Sequence, residues 1–216
     1  MPERVAADVS SLAERIRSLG ERDTRRVIIG IAGPPGAGKT TLAKGLVERL
    51  AGRPDWRDSA AAHVPMDGFH LADAELDRLG RRDRKGAPDT FDAAGYAALL
   101  GRIAAGEDVL APGFERDLDQ PIAQSLPVTA NTRYVITEGN YLLLDEPGWR
   151  AARELCTEIW YCELDDAVRV ERLIARHVEF GKPPEVAREW VRRSDEANAR
   201  LVSARRDLAD VIVLMP

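Results

Sequence analysis

Val27-Ile28-Ile29-Gly30-Ile31-Ala32, followed at once by Gly33-Pro34-Pro35-Gly36-Ala37-Gly38-Lys39-Thr40, is the stretch that settles the fold class. The first six residues are short, β-branched and apolar throughout, the composition of a strand covered on both faces. Residues 33–38 break that pattern with three glycines and two prolines. From Lys39 to Ala51 the apolar residues return at helical spacing through Leu42, Leu46, Val47 and Leu50. Strand, glycine loop and helix in this order, with a glycine, four residues and then Gly-Lys-Thr, predict a phosphate-binding loop. Backbone N–H groups of Gly33, Gly36, Ala37 and Gly38 would turn toward an anion at the positive end of the helix that follows. Lys39 is expected to reach the β- and γ-phosphates of ATP, Thr40 to ligate Mg²⁺, and Thr41 to line the nucleotide side. A turn that merely joined strand to helix would account for the glycines and give no reason for the Lys-Thr pair.

Outward from this unit, residues 62–66, 133–137, 159–164 and 211–214 read as further strands. Helical stretches at 93–105, 146–156, 166–180 and 184–203 separate them, and a leading amphipathic helix covers 2–19. Strands alternating with helices predict an α/β three-layer sandwich with a mostly parallel central sheet, since parallel neighbours need crossover connections. The charged segment 78–92 reads as a loop over the sheet's carboxyl edge, where substrate contacts gather. The expected organisation is one domain over residues 1–216.

The composition narrows the class of partner. A formal charge of −5 arises from 36 acidic and 31 basic residues mixed along the length, which predicts neither a nucleic-acid nor a membrane-surface footprint. Cys156 and Cys162 are the only cysteines, too few for a disulfide scaffold, and no run approaches a membrane span. A cytoplasmic protein acting on a small-molecule partner is expected; the sequence carries no reading of its oligomeric state.

Several residues outside the loop carry candidate chemistry. Asp67, in Pro65-Met66-Asp67-Gly68-Phe69-His70, follows the second predicted strand at the ligand-binding edge. It is the candidate base that orients an attacking hydroxyl and takes its proton, the other reading being a residue capping a common Asp-Gly turn. Phe69 and His70 read equally well as acceptor contacts and as a packing hydrophobe and a solvated histidine. Glu138 ends the strand Tyr134-Val135-Ile136-Thr137, where a carboxylate beside the phosphate loop can hold Mg²⁺ through its water shell. Arg172 and Arg176 share a helical face ahead of Gly181-Lys182-Pro183-Pro184, a pattern suited to a helical lid that neutralises transition-state charge and excludes water. Asp145-Glu146-Pro147-Gly148 fits an Asp-x-x-Gly turn, yet no guanine-reading Asn-Lys-x-Asp follows it, which argues against a GTPase.

With these placed, the chain resembles the phosphoribulokinase/uridine kinase family of P-loop kinases, in the branch labelled nucleoside kinase-like, pantothenate kinase-like or fructose-transport kinase. The marks are Met66-Asp67-Gly68-Phe69-His70, the run Arg84-Lys85-Gly86-Ala87-Pro88-Asp89-Thr90-Phe91-Asp92, Ala111-Pro112-Gly113-Phe114-Glu115-Arg116, and Thr137-Glu138-Gly139-Asn140-Tyr141. The resemblance implies Asp67 as base, Glu138 as the acidic group near magnesium and Arg176 as the lid arginine on the phosphates. It further implies acceptor contacts from Arg84, Lys85, Asp89 and Phe91, with Asn140 and Tyr141 beside them. The implied activity is transfer of the γ-phosphate of Mg-ATP to a hydroxyl of a nucleoside, sugar or pantothenate-like metabolite. Departures from uridine kinases after the aspartate speak against uridine itself. A nucleoside monophosphate kinase, for which Arg81, Arg82 and Arg84 would serve, and a regulatory NTPase without an acceptor are the alternatives.

Overall fold

The computed structural model describes residues 1–22, 25–51 and 59–216. In chain order the elements are β1 (Glu3–Ala6), α1 (Val9–Arg22), β2 (Val27–Ala32), α2 (Lys39–Leu50), β3 (Ala61–Pro65), α3 (Asp73–Leu79), α4 (Ala93–Ala104), β4 (Val109–Glu115), β5 (Gln120–Val128), β6 (Tyr134–Glu138), α5 (Pro147–Glu154), β7 (Glu158–Glu163), α6 (Asp166–Glu179), α7 (Pro184–Trp190), α8 (Glu196–Ser203) and β8 (Val211–Leu214). Six strands form one sheet in the order β1-β8-β7-β2-β6-β3, every pair parallel. β4 and β5 form a separate antiparallel hairpin.

The uniformly apolar reading of β2 has its cause in this arrangement. All six of its residues are buried, and successive side chains go to opposite faces. Ile28 joins Tyr96, Leu100, Val135 and Trp149 on one face. Ile29 and Ile31 join Leu12, Ile16, Leu42, Leu46 and Trp160 on the other, under α1 and α2. A strand at the centre of a three-layer sandwich has no solvent side, so alternation disappears from its sequence.

The structure departs from the sequence reading in four places. The expected helix over 2–19 starts at Val9, because residues 3–6 pair with β8 at the other end of the chain, Glu3 opposite Val211 and Ala6 opposite Leu214. Asp8 then begins the helix by accepting a hydrogen bond from the Ser11 N–H at 3.0 Å. The segment 78–92, read as loop, contains the last turn of α3 and two 3₁₀ turns, Arg82–Arg84 and Pro88–Thr90. The sequence reading placed no element over 109–128, where the structure has the hairpin β4–β5; its strands carry Pro112, Pro121 and Pro127, and the register shifts between Ala111 and Gly113. The helix expected over 184–203 is interrupted by a π-helical segment, Val191–Asp195, a widening often found where a helix borders a functional site. The charged turn that joins α1 to β2 lies partly outside the described residues.

Candidate active site

Phosphate loop, sheet edge, hairpin and lid meet around a cleft of about 410 Å³. The loop leaves β2 at Gly33 and curls back into α2. Gly36 lies at φ +81°, where a Cβ would come within 2.8 Å of Leu173 Cγ and 3.0 Å of the Arg169 carbonyl oxygen. Only glycine holds this conformation while packed so closely on α6. Gly36, Lys39 and Thr40 line the cleft. Gly33 and Ala37 are buried beneath it, Gly38 caps α2 in a left-handed conformation, and Thr41 is exposed and outside the cleft lining.

Lys39 is only 7% exposed. Its Nζ donates to the Pro34 carbonyl oxygen at 3.0 Å and to Asn140 Oδ1 at 2.7 Å. Burial holds its pKa below the ordinary lysine value, with Glu138, Cys162 and Asp67 pulling the other way. Beside it, Thr40 Oγ1 donates to Glu138 Oε1 at 3.0 Å. Burial by itself would raise the Glu138 carboxyl; His63, Lys39 and Thr40 outweigh it and hold the group below the usual carboxylate range. His63 Nε2 sits 3.6 Å from Glu138 Oε1, just beyond a hydrogen bond. Thr40 and Glu138 thus present two adjacent oxygens, the sparse donor set that suits an ion keeping most of its water. Among the described residues no group of three or more His, Cys, Asp or Glu is arranged as a metal cage.

Asp67 lines the same cleft as Gly36, Lys39 and Thr40. It stands in a 3₁₀ turn, Met66–Phe69, directly after β3. Burial raises its pKa and the negative charge of Glu138 adds to the effect, while His70, Arg116 and Lys39 work against it. The next residue explains the turn. Gly68 has no left-handed φ; a Cβ there would meet the Pro112 carbonyl oxygen at 2.2 Å. Its role is close approach of the hairpin backbone, not turn geometry. Gly68→Ala is expected to destabilise the fold by about 1–3 kcal/mol through overpacking against backbone and to loosen Asp67. Thermal unfolding checks the first effect, and an unchanged Tm would remove the close-packing account.

The acceptor-side residues divide into two groups. His70, Lys85, Phe91 and Asn140 line the cleft. His70 Nδ1 donates to the Asp67 carbonyl oxygen at 2.8 Å and its ring lies 4.0 Å from Phe91 and 4.8 Å from Phe114. Phe69 turns inward onto Tyr96, ring centroids 5.0 Å apart. Arg84 and Asp89 pair with each other at 2.5 Å on the exposed side and do not line the cleft. Tyr141 is fully buried, and its hydroxyl donates to the Gly86 carbonyl oxygen, so it braces the 84–92 segment from below. On the lid, Arg176 lines the cleft, while Arg172 is exposed and donates to the Pro216 carbonyl oxygen at 2.9 Å. Burial, and next the neighbouring Arg116, depress the Arg176 pKa.

Sequence reasoning missed several cleft residues. Arg116 comes from the hairpin, Asp195 from the π-helical segment, Lys182 from the lid loop and Asn198 from α8. The run Ala111–Arg116 carried a signal for Arg116; Asp195, whose Oδ2 accepts a hydrogen bond from His177 Nε2 at 2.8 Å, had none, since it stands in a π-helical segment that helical spacing does not predict.

A parallel sheet with a phosphate loop at the carboxyl end of β2, and carboxylates at the same end of the next two strands, Glu138 on β6 and Asp67 after β3, defines an α/β P-loop NTPase fold. No protein-family model matches the chain. It is 36% identical over 191 residues to "Uncharacterized protein YggC" of Escherichia coli K12, covering 88% of this chain and 78% of that protein. It is 33% identical over 218 residues to "Putative uridine kinase C227.14" of Schizosaccharomyces pombe, covering 96% and 92%. Among solved structures, "putative fructose transport system kinase" from Silicibacter sp. TM1040 superposes with a TM-score of 0.83 at 35% identity, covering 95% of this chain and 98% of that one. The chain belongs to the phosphoribulokinase/uridine kinase family of P-loop kinases.

Proposed function

We propose that the protein transfers the γ-phosphoryl group of ATP to a hydroxyl of a small metabolite. One observation carries the reading: a half-buried carboxylate, Asp67, which follows β3, lines the same cleft as Lys39 of the phosphate loop and Arg176 of α6. In the proposed reaction the acceptor oxygen forms a bond to the γ-phosphorus as the bond to the β–γ bridging oxygen breaks, ADP departs, and the hydroxyl proton passes to Asp67. Lys39 would exchange its contacts with Pro34 and Asn140 for phosphate oxygens. Arg176 would approach the equatorial oxygens as the lid closes, where charge develops. Thr40 and Glu138 fit a Mg²⁺ held largely through water; when bound, the ion would neutralise charge on the β- and γ-phosphates.

The monophosphate-kinase alternative loses support from the arginines that suggested it. Arg81 and Arg84 both face Asp89, at 3.5 and 2.5 Å, and Arg82 faces Asp73 at 2.7 Å and Asp77 at 3.3 Å. Each is already matched to acid. A panel of hydroxyl-bearing metabolites with ATP and Mg²⁺, read as acceptor-dependent ADP formation and phosphorylated product, tests the reading. ADP release that no acceptor accelerates would favour a regulatory NTPase instead.

A further inference from the structure

The positive charges of the cleft are not equivalent. Lys85, 11% exposed at its side chain, is matched to Asp73 at 2.9 Å and Asp119 at 2.8 Å, and Arg82 is matched as described above. Three others, Arg116, Arg176 and Lys182, have no carboxylate within ion-pair distance among the described residues. Two of these are seated on aromatic rings. The Arg116 guanidinium lies 5.9 Å from the centroid of Phe180, and Lys182 Nζ lies 5.2 Å from that of Trp190. An aromatic face orients a cation without cancelling its charge. Arg81, Arg82, Arg84 and Arg102, by contrast, each face a carboxylate.

The proposed triphosphate uses Lys39 and Arg176, which belong to the loop and the lid helix. Arg116 enters from the hairpin, the wall that also carries Phe114 and adjoins Asp67 through the Gly68–Pro112 contact. It is therefore placed on the acceptor's side of the reacting centre, as a charge the nucleotide does not need. We propose that the acceptor carries an oxyanion, a carboxylate or a phosphate ester set apart from its reacting hydroxyl, and that Arg116 binds it with Lys182 joining from the lid. This rests on the kinase reading above and narrows its substrate class. A guanidinium offers a planar pair of donors that fits either anion, and a neutral sugar or nucleoside would leave that charge unanswered.

The test is a calorimetric titration of the full chain saturated with a non-hydrolysable ATP analogue and Mg²⁺, so that the triphosphate site is filled. Inorganic phosphate, malonate and, as a neutral control, glycerol are the probes. Saturable binding of at least one anion and none of glycerol is expected, and whichever anion binds tighter identifies the acceptor's group. Arg116→Gln is expected to weaken that binding by about tenfold or more, in keeping with loss of a charge-assisted hydrogen bond. Lys182→Gln should weaken it less, Arg116→Lys should retain part of it, and Arg102→Gln, which makes the same charge change against Glu107 away from the cleft, should leave it unchanged. Absence of saturable anion binding to the loaded protein overturns the proposal, as does undiminished binding by Arg116→Gln. If Arg116→Gln instead weakens the ATP analogue, Arg116 belongs to the triphosphate site and the proposal is wrong while the kinase reading stands. Failure of the unmodified protein to bind the analogue at all removes the kinase reading and this inference with it.

Discussion

An Asp67→Asn enzyme is expected to bind nucleotide as before and to lose acceptor-dependent phosphorylation by about 10²–10⁴-fold, the usual contribution of a positioned general base. Asparagine keeps the size of the side chain and can still hydrogen-bond a hydroxyl, but it cannot take up the proton. The same substitution should raise stability. Burial, then Glu138, lifts the folded-state pKa of Asp67 above its ordinary value. A carboxyl so raised costs the fold nothing at pH below its unfolded value, and destabilises the fold as pH climbs through the folded one. At neutral pH the charged Asp67 therefore works against the fold, and the amide removes that charge. Protein free of nucleotide and divalent cation should accordingly show a higher Tm for Asp67→Asn, a trade common at catalytic positions. In the unmodified enzyme, kcat/KM should rise with pH along an acid limb displaced above that of an ordinary aspartate, and the residual activity of Asp67→Asn should lack this limb. Near-normal turnover in the variant would take Asp67 out of the base role; a lowered Tm would contradict the burial argument.

Replacing Arg169 by methionine should destabilise the protein by about 2–3 kcal/mol, at or below the lower end for a broken buried ion pair because its acidic partners are partly in solvent. Arg169 on α6 is 1% exposed. Its Nη2 reaches Glu196 Oε1 on α8 at 2.5 Å and Asp166 Oδ1 at 2.9 Å, and Nη1 donates to the Pro35 carbonyl oxygen at 3.4 Å. One guanidinium thus joins α6 and α8 to the phosphate loop. Its loss leaves the half-buried Glu196 without its cationic partner and frees the loop carbonyl, so weaker nucleotide binding should accompany the lower unfolding midpoint in urea. Adding Glu196→Met to Arg169→Met should recover part of the loss, since removing both partners spares an unpaired charge. Unaltered stability of the single variant would show that packing around Leu173, not the ion network, ties lid to loop.

The parts of this protein that were legible early share a local physical signature. The strand–loop–helix unit at 27–50 carries its own periodicity change, and Gly-Lys-Thr has no structural reason to stand there. Glu138 was found because a charge at the end of an apolar strand is expensive unless it is used, and Asp67 because it follows a strand at the sheet edge where ligands bind. What stayed hidden depends on contacts between distant segments. Residues 3–6 form a strand only because β8, more than two hundred residues away in sequence, offers an edge to pair with. The turn-like Asp67-Gly68 pair conceals a packing requirement imposed by Pro112. Arg84 and Asp89, natural acceptor contacts by their position in the segment, satisfy each other on the outer surface instead.

The sequence alone determined the α/β class, the phosphate loop and the two carboxylates at the sheet edge, because each is specified by residues within one or two turns of chain. Tertiary structure alone decided which charges face the cleft. Whether an arginine is neutralised by an aspartate or held on an aromatic ring depends on which hairpin and which lid turn come within a few ångströms of it, and neither spacing nor composition encodes that distance.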